Sequence, residues 1–254
     1  MDPLVTTFTA CRLAVEFRAR GRRVLLFDGV GQPWLLRQLL AIEGEPERTV
    51  GRGDPLPLHK RALTLWSTED GTGGSPSGDA SVPASLLSAE AEADVVVVLL
   101  PGQSLATYLD RYSNPRQEFL VVTETSQEEV GRTFARLREI HCCMPGARLG
   151  VVVAGADRAE AEPCFDRLAR AAARLLRVSL LSYGYVFLGR RNAREMAAGR
   201  PLHEVEEARV RSQMAAVAGL LLADGRPVPQ APWHGGFFDA VGREPLALAG
   251  GDSP

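Results

Sequence analysis

Short, wholly apolar runs alternate with longer amphipathic segments along this chain, and that alternation restricts its fold more than any other feature. Residues 23–27 (RVLLF), 94–100 (DVVVVLL), 118–123 (EFLVVT) and 149–154 (LGVVVA), and a run within 178–187 (VSLLSYGYVF), lack the polar alternation of a half-solvated strand. Strands read this way when both faces are covered, as in parallel sheets. Residues 63–66 form a shorter run of the same kind, and 94–100 is the strongest buried-strand signal. The intervening segments have helical spacing. Over 7–20, Phe8, Cys11, Leu13, Val15 and Phe17 supply apolar surface, and Pro33 suits the first turn of a helix over 33–42. Further helices are expected over 83–93, 104–112, 126–141, 160–176, 191–198 and 204–222. Ser126 followed by Glu129 makes a capping-box signature. Strands and helices alternating at these lengths imply βαβ units: an α/β fold with a mostly parallel sheet and helices on both faces.

The chain has 254 residues, 45% hydrophobic and 24% charged, enough for one α/β domain with a sizeable core. That domain is expected over 1–223. A Gly-, Ser- and Asp-rich flexible loop is expected over 69–81, and a Pro/Gly-rich tail over 224–254. The net charge of -2 and pI of 6.1 give no reason to expect nucleic acid as a partner, since non-specific binding there rests on Lys and Arg. Cys11, Cys142, Cys143 and Cys164 form no CxxC pair, which suits reduced thiols in the cytoplasm. The longest apolar runs are too short or too interrupted to span a bilayer.

Five segments, in order, resemble the MinD/ParA family of P-loop ATPases. Residues 20–29 (RGRRVLLFDG) are similar to its second strand, and 94–102 (DVVVVLLPG) to its Walker B strand. Residues 119–130 (FLVVTETSQEEV) are similar to the following strand and helix. The unit beginning LGVVVAGADRAEAEP at 149, and 182–205 (SYGYVFLGRRNAREMAAGRPLHEV), continue the match. The resemblance covers about residues 6–222, and within the family it is closest to regulators of flagellar number. It implies a P-loop NTPase-like fold of MinD type, and ATP with Mg²⁺ as ligands.

The residues that would hold ATP are nevertheless missing. A P-loop needs glycines whose N–H groups cradle phosphate, a Lys on the β/γ-phosphates and a Ser/Thr on Mg²⁺. The family's Gly-Lys-Gly-Gly-Val-Gly-Lys-Thr-Thr run corresponds here to residues 2–9, DPLVTTFT. Thr6 and Thr7 survive, but Val5 stands at the second Lys, and Pro3 lacks an N–H. Asp28 survives from the family's Asp-x-Asp, with Val30 at the second position. Leu99 replaces the Walker B carboxylate, and Ala154 replaces an Asn that contacts the base. Phosphoryl transfer depends on these parts for positioning and charge. Thr6, Thr7 and Asp28 are therefore vestigial, no catalytic residue is assigned, and neither cofactor nor metal is expected. An active ATPase with an atypical nucleotide site is the alternative.

The resemblance also implies a central first strand before the P-loop, for which residues 1–9 leave no room. Its absence would leave a groove able to accept a partner's strand. The simpler readings are residues preceding Met1, or a short substitute strand over 4–9. Other candidates read as structural. His141, Cys142 and Cys143 lack metal-ligand spacing. Cys164 suits a core, Ser104 and Ser126 lack triad partners, and His59, His203 and His234 stand alone. In the tail, Trp233, Phe237, Phe238 and Val241 offer apolar bulk for a partner or a membrane surface. One basic residue, Arg243, and the pair Gly235-Gly236 favour packing on the body or a partner.

The expected function is thus that of a non-catalytic, MinD-like regulator or adaptor. It would act on a protein partner, either an intact ATPase relative or a component of a polar machine such as a flagellum, pilus, secretion or export complex. It is expected as a monomer or heteromer in the cytoplasm. A peripheral role at the inner membrane through the tail is a second alternative.

Overall fold

The computed structural model describes residues 3–30, 33–40, 56–58, 63–67, 84–100, 118–155, 157–188, 190–198, 200–201 and 208–224. In chain order the elements are α1 (Pro3–Ala19), β1 (Val24–Asp28), α2 (Pro33–Leu39), β2 (Leu56–Leu58), β3 (Leu63–Ser67), α3 (Ala84–Glu92), β4 (Val95–Leu99), β5 (Glu118–Thr123), α4 (Gln127–Cys143), β6 (Arg148–Ala154), α5 (Arg158–Ala171), β7 (Leu181–Val186), α6 (Arg190–Ala197) and α7 (Ala208–Asp224). The expected helix over 104–112, the loop over 69–81 and the tail with Trp233, Phe237 and Phe238 lie outside the described residues.

The strands form two sheets, ordered β2-β3-β1-β4 and β5-β6-β7. All pairings are parallel except β2 with β3. Helices cover both faces. On one, α1, α2, α6 and α7 pack on Val24, Leu26, Leu65, Leu99, Val122, Val152 and Val186 in a single core shared by both sheets. On the other, Leu86 of α3 meets Leu25 and Phe27, while Leu137 and Ile140 of α4 and Leu168 of α5 meet Val121, Val151 and Val153. The odd–even split follows from the pleat, which sends successive side chains to opposite faces. No helix among the described residues is long and apolar enough to cross a membrane.

Local rules account for most boundaries. Ser126 caps α4, accepting from Glu129 N at 3.3 Å, and Asp157 caps α5, accepting from Glu160 N. After α1 the chain turns through Gly21 at φ 77°, a backbone that favours glycine. Glu16 joins Arg12 (2.5 Å) and Arg20 (2.7 Å), and Arg20 Nη2 donates to Ala215 O at 2.6 Å, fastening the end of α1 to the middle of α7. Two residues earlier Gln213 Oε1 accepts from Phe187 N, and Arg209, in the first turn of α7, lies 4.5 Å over the Phe187 ring. α7 thus starts beside Phe187, the residue that follows β7, and its middle is tied to the chain just after α1.

Three expectations need correction. Residues 4–9 are helical within α1 and supply no substitute strand; Thr9 Oγ1 donates back to Val5 O, and Phe8 turns into the core. The single helix expected over 160–176 ends at Ala171. A π-helical turn follows over Ala172–Leu176, closed by Arg177 at φ 61°. Finally, β4 is not buried throughout: Val95 to Val98 are all half-exposed, whereas β1 is wholly buried. The reason is that β4 pairs with β1 on one side and with no described strand on the other.

At the amino ends of β1 and β4, Asp94 accepts from Arg23 N at 2.8 Å and pairs with its guanidinium at 3.0 Å. These bonds hold the Asp94 carboxyl below the usual carboxylate range. A carboxyl depressed in the folded state stabilises above its unfolded pKa, about 3.9, and loses that contribution as pH falls through the folded value. Asp94→Asn is therefore expected to lower the urea midpoint at pH 7, by a difference that narrows towards pH 2. A constant difference across that range would exclude the linkage.

Candidate functional site

The carboxyl ends of parallel strands are where an α/β sheet presents its ligand site. Here α1 packs on β1 and β4, and Leu4 and Val5 of its first turn pack against the cluster that holds Leu99 and Ala154. Asp28 and Leu99 are register partners, and Gly29 N donates to Leu99 O at 3.0 Å. Asp28 is 1% exposed, and its Oδ1 accepts from Val30 N at 2.9 Å, an Asx turn that closes β1. Above it, Cys11 is fully buried. Burial first, and the neighbouring Asp28 second, push its thiol far above the ordinary range. Cys11 is therefore held as a thiol, which is a poor nucleophile. Thr7, one turn before Cys11, is also buried, and Thr6 is half-buried.

The sheet order, the parallel strands and the position of α1 on both sheets can be set against solved structures. MinD from Aquifex aeolicus superposes with a TM-score of 0.60 at 12% identity, covering 89% of this chain and 95% of that one. McdA from Cyanothece gives 0.62 at 16%, covering 87% and 96%, and the cell division ATPase MinD from Pyrococcus furiosus gives 0.61 at 17%, covering 87% and 94%. The chain has the MinD/ParA fold. No family model matches, and no curated protein matches.

Within this MinD-like fold, the positions singled out in the sequence do come together, but as core. Leu99 and Ala154 are fully buried in the cluster that joins the two sheets, and Val5 and Val30 pack against it. None of the four offers a cation, a metal-ligating oxygen or a base-facing amide. The surviving carboxylate, Asp28, already accepts from a backbone N–H and faces a neutral thiol. These described residues do not fit a nucleotide phosphate with its Mg²⁺.

The remaining candidates have structural surroundings. Ser126 is a helix cap. Cys164 donates towards Glu124 O at 3.8 Å, and burial raises its thiol against the opposing effect of Arg167. His141, Cys142 and Cys143 end α4, with Cys142 exposed. Among the described residues no group of three or more His, Cys, Asp or Glu could hold a metal ion. His59, Ser104, His203 and His234 lie outside the described residues.

Two features were not legible in advance. Buried Cys11 lies near enough to Asp28 for that carboxylate to act on its thiol, a proximity that no motif announces. Tyr183 of β7 lies across Gly150 of β6, and its hydroxyl donates to Glu118 of β5, so one side chain ties all three strands of the second sheet.

Proposed function

We propose that this chain is a nucleotide-independent, MinD-like regulator or adaptor that works through protein contacts. A single observation carries the reading: Val5, Val30, Leu99 and Ala154, four separate replacements of polar ligands, share one apolar core. A phosphate with its metal would have to displace packed side chains there, and preorganised charge stabilisation, the main source of phosphoryl-transfer catalysis, has no groups to act through.

Among the solved neighbours, MinD from Aquifex aeolicus is also known in a MinC:MinD complex, to which this chain is similar with a TM-score of 0.56 at 12% identity. That protein forms a complex with a protein partner, and the same mode is proposed here. The partner is an intact ATPase relative or a component of a polar machine, a flagellum, pilus, secretion or export complex, whose placement or assembly the chain regulates. Without a nucleotide to bridge two copies, the working state is a monomer or a heteromer.

Calorimetric titration of the full chain with ATP and Mg²⁺ is expected to show no binding heat up to millimolar ligand. Micromolar binding would overturn the proposal and favour an active ATPase with an atypical site.

A further inference from the structure

The face by which α5 grips the second sheet changes rhythm at its end. Ala161, Cys164, Leu168 and Ala172 are all buried, at the spacing of one helix face. Four turns of about 3.6 residues from Ala161 end between Leu175 and Leu176, so a continued α-helix would set both against the core. The π-helical turn over Ala172–Leu176 widens the last turn instead. Leu176 packs on the cluster beneath α4 and α5, and Leu175 is left 64% exposed. Leu175 and Leu220 are the exposed large apolar side chains among the described residues, and Leu220 lies on α7, on the opposite face of the sheets.

Arginines accompany Leu175. Arg167, Arg170 and Arg174, three and four residues apart, run along one side of α5 and its π turn over about 10 Å. Arg177 closes the turn, and all four are exposed. No described carboxylate pairs with any of them, whereas Arg158 at the other end of α5 holds Glu162 at 2.6 Å. A helix C-terminus favours cations in its last turns, which accounts for Arg170 and Arg174 but not for an exposed leucine between Arg174 and Arg177. Arg177 has φ 61°, a backbone that glycine adopts without penalty. An arginine side chain is therefore held there at a conformational cost. The backbone beneath is fixed, since the π turn packs on α4 as well as following α5.

We propose that this end of α5 docks an acidic, amphipathic segment of the partner protein, with carboxylates on Arg167, Arg170, Arg174 and Arg177 and an apolar side chain on Leu175. The assignment rests on the adaptor reading above and gives that partner a chemistry. Charge complementarity selects the occupant. Guanidinium groups take carboxylates bidentately, and arginine around an apolar contact is a composition that interface cores favour. A membrane surface is the poorer fit, because α5 keeps its apolar face on the sheet and offers a bilayer one leucine. A nucleic-acid backbone would set Leu175 against phosphates.

Fluorescence anisotropy of the full chain tests this, with a labelled peptide of about 12 residues that carries glutamates at three- and four-residue spacing around one leucine. Saturable binding that weakens with added salt is expected. Arg174→Gln combined with Arg177→Gly is expected to weaken it at least about tenfold, through the loss of charge-assisted hydrogen bonds. Arg177→Gly also eases the backbone, so urea midpoints are expected to hold. Leu175→Ser is expected to weaken binding about fivefold or more. Arg194→Gln, at an exposed arginine of α6, is expected to change nothing. Absence of saturable binding overturns the proposal, as does unchanged affinity in the arginine or leucine variants. Equal affinity for the same peptide with serine in place of its leucine overturns it too. Tighter binding of a DNA duplex or of phosphatidylglycerol vesicles through the same arginines reassigns the surface, with the same consequence. Self-association of the chain that the arginine variant abolishes makes a second copy the occupant and likewise overturns it. Binding heat in the ATP titration would sink the adaptor reading without moving these affinities, so the two failures are told apart.

Discussion

Gly150→Ala is expected to cost about 3 kcal/mol in urea denaturation, a large effect for adding one methyl group. A Cβ at position 150 would lie 2.3 Å from Tyr183 Cε2 and 2.6 Å from Cδ2. Those are ring atoms of a side chain that is 2% exposed and held at its far end by Glu118. The ring has nowhere to move except into the packed core shared by the two sheets, or away from Glu118 at the loss of that bond. A double-mutant comparison isolates this cause. Tyr183→Ala alone opens a cavity and is expected to cost about 3–5 kcal/mol. If the clash is the mechanism, adding Gly150→Ala to Tyr183→Ala costs little more, because the methyl then grows into vacated space. Additive losses would mean that Gly150 matters for its backbone freedom instead.

Gly150 and Tyr183 show where reading the sequence stops. The strand at 149–154 was legible because LGVVVA is apolar throughout, and six of the seven residues of β6 are buried. That a glycine within it makes room for a ring on the next strand depends on register, which periodicity does not carry. The same limit explains β2. Leu56–Leu58 has Pro57 at its centre, a residue that demotes a strand in sequence, yet among the described strands β2 pairs with β3 alone, antiparallel, and an edge tolerates proline. β4 fails in the opposite sense. DVVVVLL reads as a strand covered on both faces, and its composition suits that state. The half-exposure of Val95 to Val98 goes with an outer edge that pairs with no described strand, and not with the residues themselves. At the candidate site, the replaced ligands could be named one by one from the sequence. Their convergence in a single cluster, with Cys11 buried near Asp28, needed the fold.

Leu99→Asp, which puts a carboxylate at the Walker B position, is expected to cost at least about 4 kcal/mol and to restore no nucleotide binding. Leu99 is 3% exposed and sits in the core between α1 and the sheets. Its replacement loses apolar burial and places a charge beside Asp28, its register partner, which is itself almost wholly buried. Both effects raise the pKa of the new carboxyl in the folded state. The sign of the pH dependence follows. A group that binds its proton more tightly when folded stabilises the fold as pH falls, so the deficit of Leu99→Asp relative to Leu99→Asn is expected to be largest at pH 7 and to shrink towards pH 4. Urea midpoints of the two variants at both pH values measure it. Were the position still a metal-ligating one, open to solvent and Mg²⁺, Leu99→Asp would be tolerated, its stability would not recover in acid, and added Mg²⁺ with ATP would raise its melting temperature. The apolar core predicts failure on each of these counts. That outcome would separate a site that has merely lost ligands from one whose space is now occupied by the packing that holds the two sheets together.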